Sequence, residues 1–202
     1  MVVILGFLVL YLGIAFLAPL LMNVGFESIA KWIYQLYSNT CHQLAFRSWF
    51  LFGQQAAYPR DLANVANQMT YEQVFGFQAN DFNAARRIIG NEFAGYKVAL
   101  CQRDIAMYLS MILFGIIFLI KQKKIGAISF WIWLVIGIIP VGWDGVSQLP
   151  ATGMKLLESL PLRESTPMIR SVTGFFFGFF TGWYLYPTIE NSFHELKKGI
   201  IK

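Results

Sequence analysis

The residues with chemistry to offer are few and unevenly placed. Both cysteines and one of the two histidines of this 202-residue chain lie in its first half: Cys41 and His42 side by side, and Cys101. Arg103 and Asp104 follow Cys101, and Tyr108 comes one helical turn later. Asp144, Gln148 and Arg170 stand at the ends of other apolar runs. On a helix Cys101 and Asp104 are three apart and share a face. Thiolate, imidazole and carboxylate are the ligands of tetrahedral zinc, so Cys41, His42, Cys101 and Asp104 form a candidate zinc set, although the spacing is not that of a zinc finger. The same two cysteines suit a disulfide, which would close a loop of about 60 residues and stabilise it by about 3–4 kcal/mol. Buried free thiols are the third option, and a pair that cycles would make a thiol–disulfide carrier. On sequence these stay open.

Asp144 can serve as an acid or base in catalysis or ion binding, or pair with Arg103 or Arg170, and either arginine can hold an anion. No glycine-rich phosphate loop, Ser-His-Asp set or His-Glu-x-x-His motif is present. The expectation therefore leans towards a structural or accessory subunit of a membrane complex. A metal-dependent membrane enzyme or a thiol–disulfide redox protein is the alternative.

The elements that must position these residues follow from composition. At 56% hydrophobic, 17% aromatic and 13% charged, the chain is too apolar for a soluble domain, which averages roughly a quarter charged. The net charge of +5 is scattered rather than clustered among exposed aromatics, so nucleic acid is not the expected partner. A bilayer core needs about 20 apolar residues per helix. Four runs are read as spans, over about residues 2–24, 98–120, 125–143 and 172–186. The first is read as a retained helix, since it lacks a basic leading region. The expected fold is an all-α integral membrane protein, residues 1–202 forming a single membrane domain. It has four transmembrane helices and a cap of short helices on its outer face.

Charge in the short connections sets the expected orientation. The run Lys121-Gln122-Lys123-Lys124 and the tail lysines Lys197, Lys198 and Lys202 belong in the cytoplasm by the positive-inside rule. Both termini then lie on the cytoplasmic side of the cytoplasmic (inner) membrane, with the loops 26–97 and 144–170 outside. In the first loop, residues 27–37 have apolar positions at helical spacing and should lie along the membrane surface. Thr70-Tyr71-Glu72-Gln73 resembles a capping box, and Asp81 opens another short helix. In the second loop a helical turn is expected near residues 154–160. Gly174, Gly178 and Gly182 recur every four residues, a small-residue stripe that lets helix backbones approach. It suits packing within the bundle, or else a homo-oligomer or larger membrane complex in addition to the lipid bilayer. The surrounding phenylalanines face lipid by default.

Taken in order, the motifs resemble a known family. Cys41-His42-Gln43 is followed by Arg47, and Cys101-x-Arg103 by Tyr108. Then come Asp144-Gly145-x-x-Gln148 and Arg170-x-x-Thr173-Gly174. This set resembles the small integral membrane proteins of domain-of-unknown-function family 2085. Members commonly carry Cys-x-Arg-Cys where this chain has Cys101-Gln102-Arg103-Asp104, and residues 54–96 look like an insertion. The resemblance implies no activity, but it implies that Arg47, Arg103, Tyr108, Asp144, Gln148 and Arg170 belong to one site with the Cys/His pair.

Overall fold

The computed structural model describes residues 1–76, 81–148 and 163–200. The turn expected near residues 154–160 and the side chains of Lys197, Lys198 and Lys202 lie outside that description.

Helix α1 (Val2–Asn23) is apolar throughout, with buried Pro19 near its end. The amphipathic α2 (Glu27–Tyr37) follows, burying Ala30, Ile33, Tyr34 and Tyr37. Its opposite face leaves Ile29, Trp32 and Leu36 exposed, as a helix lying in a membrane interface does. The chain then forms β1 (Ser48–Leu51), two short helices α3 (Tyr71–Phe75) and α4 (Phe82–Arg87), and strands β2 (Gly90–Asn91) and β3 (Gly95–Cys101). Thr70 and Gln73 make the expected capping box at α3, and Asp81 caps α4. Strand β3 runs directly into α5 (Gln102–Ile120). After the basic turn, Ser129 caps α6 (Phe130–Ile132), which continues through a π-helical segment (Trp133–Ile138) into α7 (Ile139–Val146). The last helix is α8 (Pro167–Ile200).

This corrects the four-span, all-helical expectation. Two helices, α1 and α5, are long and apolar enough to cross a membrane, about 33 and 28 Å at 1.5 Å per residue. The third run yields an apolar helix only over Phe130–Val146, which is shorter than a full span. The fourth lies in a helix of 34 residues that passes through Pro187 instead of stopping there. Glycine, threonine, tyrosine and tryptophan dilute its apolar character. The cap is not purely helical, because β1, β3 and β2 form an antiparallel sheet in that order. Residues 98–101 looked like the start of a span because they are apolar. They are in fact a strand, Val98, Ala99 and Leu100 being buried in the core that α1 and α2 complete.

Helix α8 packs along α5 through the glycine stripe. A Cβ on Gly174 would fall 2.5 Å from the Arg103 carbonyl oxygen, and one on Gly178 2.1 Å from that of Met107. At Gly182 it would meet Phe114 at an ordinary 3.4 Å. The face proposed for a homo-oligomer or a partner subunit is thus occupied within the chain by α5.

Candidate functional site

The site forms where β3 becomes α5. Cys101 is the N-cap of α5, and its Sγ accepts from the Asp104 amide at 3.5 Å. The two residues are therefore a cap and its third helical residue rather than neighbours along a helix face. Pairing of Ser48 with Cys101 across β1 and β3 draws the preceding segment alongside. Gln43 adopts φ +52°. Its Nε2 donates to the Tyr34 carbonyl at 2.9 Å, and its own carbonyl accepts from Lys97 Nζ at 2.7 Å. Gln102 Nε2 donates to the Ser48 carbonyl at 3.0 Å.

So held, Cys41 Sγ, Cys101 Sγ and a carboxylate oxygen of Asp104 all lie within 4.8 Å of one another. The Cys41 thiol is pushed far up. The chief cause is its hydrogen bond with Cys101, followed by burial and the negative potential of Cys101 and Asp104. The surroundings of Cys41 therefore favour its protonated form.

A cavity of about 210 Å³ opens beside these atoms, with Cys41, His42, Arg47, Cys101, Arg103, Asp104 and Arg170 in its wall. His42 is exposed, and its ring nitrogens are not part of the three-residue cluster. The arginines are anchored from behind. Arg47 donates through Nε and Nη2 to Glu164 at 3.1 and 3.3 Å, and Arg60 reaches the same carboxylate at 3.2 Å. Arg170 also donates to Glu164 and to Gln148 Oε1. Arg103 pairs with Asp144, which Arg163 approaches at 3.5 Å. Gln148 closes the group by donating to the Asp144 carbonyl at 2.5 Å. The side chains of Glu164, Asp144 and Arg170 are at most 4% exposed.

The structure therefore brings Cys41, His42, Arg47, Cys101, Arg103, Asp104 and Arg170 to one cavity, with Asp144 and Gln148 immediately behind it. Tyr108 is elsewhere: its ring meets that of Tyr11 edge-on at 5.2 Å, in the core between α1 and α5. Sequence reasoning missed Glu164, Arg163 and Arg60, and Glu164 is the hub. Its signal was present, a solitary acid between Arg163 and Arg170 in a proline-rich connection. Lys97, 1% exposed, was also missed because it was read only as the last residue of the outer loop 26–97. A second, apolar cavity of about 530 Å³ lies between α5 and α8, lined by Trp49, Gln102, Ala106, Leu109, Ser171 and Phe175 among others.

Comparison with known proteins found one family model and one curated relative. Over 194 residues the chain is 28% identical to the uncharacterized protein MJ1492 of Methanocaldococcus jannaschii, covering 93% of this chain and 90% of that one. No solved structure matches. A family model described as predicted membrane protein matches residues 90–184, which include Cys101, Arg103, Asp104, Asp144, Gln148, Arg170 and the three stripe glycines. Cys41, His42 and Arg47 lie ahead of the matched stretch. Residues 90–184 thus match the DUF2085 model of predicted membrane proteins, and among the described residues two helices, α1 and α5, are long and apolar enough to cross a bilayer.

Proposed function

We propose that this membrane protein holds a transition-metal ion of the zinc type at the mouth of α5, ligated by Cys41, Cys101 and Asp104. The observation that carries the reading is the closeness of three good donors from two separate segments. Donors bonded to zinc at about 2.0–2.3 Å stand roughly 3.3–3.8 Å apart in a tetrahedron. A shift of about 1 Å in side chains whose donor atoms already lie within 4.8 Å of one another therefore completes the set. Binding also supplies the cation that lets the Cys41 thiol ionise, which its surroundings otherwise oppose.

Three protein ligands leave the fourth position facing the cavity, with His42 on its rim. An open position is the pattern of metal centres that take up water or a ligand, whereas structural sites close with four protein donors. The geometry thus favours a ligand-binding or ligand-activating membrane protein over a purely structural subunit. A second reading, a Cys41–Cys101 disulfide fastening the cap, is favoured by the closeness of the two sulfurs, within 4.8 Å of one another.

Metal analysis of the detergent-purified protein, paired with thiol counting after denaturation, separates the readings. The expected result is about one zinc per chain and two thiols, with the metal lost in Cys41→Ser and Cys101→Ser and bound more weakly in Asp104→Asn. No metal and no titratable thiol would establish the disulfide. No metal with two freely reactive thiols would overturn both readings.

A further inference from the structure

We infer that the same cavity binds a phosphate-type oxyanion on Arg47, Arg103 and Arg170. The inference deepens the metal reading, resting on it only for the anion's access to the open metal position. The three arginines line the cavity with no metal needed to place them.

These arginines come from three elements, the turn before β1, the start of α5 and the start of α8, and converge on one space. Three forks arriving from different directions suit a tetrahedral anion with several oxygens better than one planar carboxylate. The space fits as well, since 210 Å³ is about seven water volumes at roughly 30 Å³ each.

Ordinary ion pairing does not exhaust the arginines. Glu164 is shared by Arg47, Arg60 and Arg170, and Asp144 by Arg103 and Arg163. A carboxylate carries one charge and about four acceptor sites, so each cluster stays electropositive. Among the described residues the donors are under-used too. Arg103 Nε is buried without a hydrogen-bond partner, and the bonds of Arg47 and Arg170 run through Nε and Nη2, leaving Nη1 of each uncommitted. Adding zinc to two thiolates and Asp104 makes that corner only singly negative, so the wall keeps its excess positive charge. The positive end of the α5 dipole points the same way.

The oxyanion has two sources of identical chemistry, free phosphate and a lipid phosphate headgroup. The apolar cavity begins one residue from the site on both helices, at Gln102 beside Arg103 and Ser171 beside Arg170, so a lipid's chain has somewhere to lie. Calorimetric titration of inorganic phosphate into the detergent-purified full chain, chelated and zinc-loaded, tests the first source. Capture on phosphatidylcholine nanodiscs with and without phosphatidic acid tests the second. Saturable binding of either probe, weakened at least tenfold in Arg103→Gln and in Arg47→Gln, is the expected result. Arg103→Lys, which keeps the charge but loses the fork, should fall between. Binding of phosphatidic acid alone would assign the headgroup source. Absence of binding by both probes, or binding indifferent to both arginine substitutions, would overturn the inference. Phosphate binding by the chelated protein would let it survive even if metal analysis came back empty. Unchanged thermal melting of each variant guards against a folding defect, with Arg47→Lys as the reserve.

Discussion

Among single residues, Lys97 is one whose charge state the fold changes near neutral pH. Its ammonium is 1% exposed and donates to the carbonyls of Gln43 and Arg86 at 2.7 and 2.8 Å. Burial is the main cause that pulls its pKa from 10.5 to about 7, with Arg86 adding to the fall and Cys41 opposing it. The sign of the consequence is fixed by linkage. Between about pH 7 and 10.5 the unfolded chain keeps a proton that the folded chain has released, so stability contributed by this group rises with pH across that window. Below about pH 7 both states hold the proton and the slope vanishes. The slope is at most about 1.4 kcal/mol per pH unit. Lys97→Met removes it, while leaving two carbonyls without a donor at a cost of about 1–3 kcal/mol. Thermal melts of both proteins at pH 7, 8.5 and 10 should diverge, with the native chain gaining stability relative to the variant. Parallel profiles would show that Lys97 stays protonated in the fold. Lys97 also explains the conformation of the Cys41 segment, since the carbonyl it holds belongs to Gln43, one of the few non-glycine residues at positive φ.

At the scale of elements, the α5–α8 seam is where a small change should be felt most. A methyl group on Gly178 would sit 2.1 Å from a backbone oxygen and 2.3 Å from Ser110 Oγ, whereas one on Gly13 of α1 meets nothing within 4 Å. Gly178→Ala must force the helices apart, and overpacking of this kind costs about 1–3 kcal/mol. Gly13→Ala should be neutral or gain up to about 1 kcal/mol of helix propensity. Melting temperatures in detergent check the pair, and equal shifts would mean the seam yields without cost. The glycine period was legible because close helix approach leaves a one-residue signature every turn. So were α1, α2, the α3 and α4 caps and the polar cluster, each of which follows from local side-chain types. The sheet was not legible. Val98-Ala99-Leu100 is uniformly apolar because both its faces are buried, so it shows neither alternation nor helical period. Glu164 was visible as a solitary acid between Arg163 and Arg170, but its role as a hub was not. Its role depends on Arg47 and Arg60, more than a hundred residues away, and no local pattern encodes that pairing.

Across the whole molecule, α5 separates two unlike chemical surfaces. At its start stand the thiols, the buried carboxylates and their arginines. At its end, about 28 Å away by helical rise, Lys121, Lys123 and Lys124 are exposed, and Lys123 reaches Glu190 of α8 at 2.6 Å. Lysines clustered in a short connection stay in the cytoplasm, while charge in a long translocated segment counts for little. The cap is such a segment, so the Cys/Arg cavity is expected on the extracytoplasmic side. Asn64 in the cap and Lys123 in the turn are both exposed, which makes them suitable reporters. In cells carrying Asn64→Cys or Lys123→Cys on a background with Cys41 and Cys101 replaced by serine, a membrane-impermeant maleimide should label position 64 directly and position 123 only after permeabilisation. The reverse pattern would put the cavity in a compartment that keeps thiols reduced. A stable Cys41–Cys101 disulfide would then be excluded without touching the metal reading, because Cys41, Cys101 and Asp104 stand together by folding and not by compartment. The expected pattern leaves both open to the metal and thiol measurements, and it presents the arginine-lined space to ligands that arrive from outside or from the outer half of the bilayer.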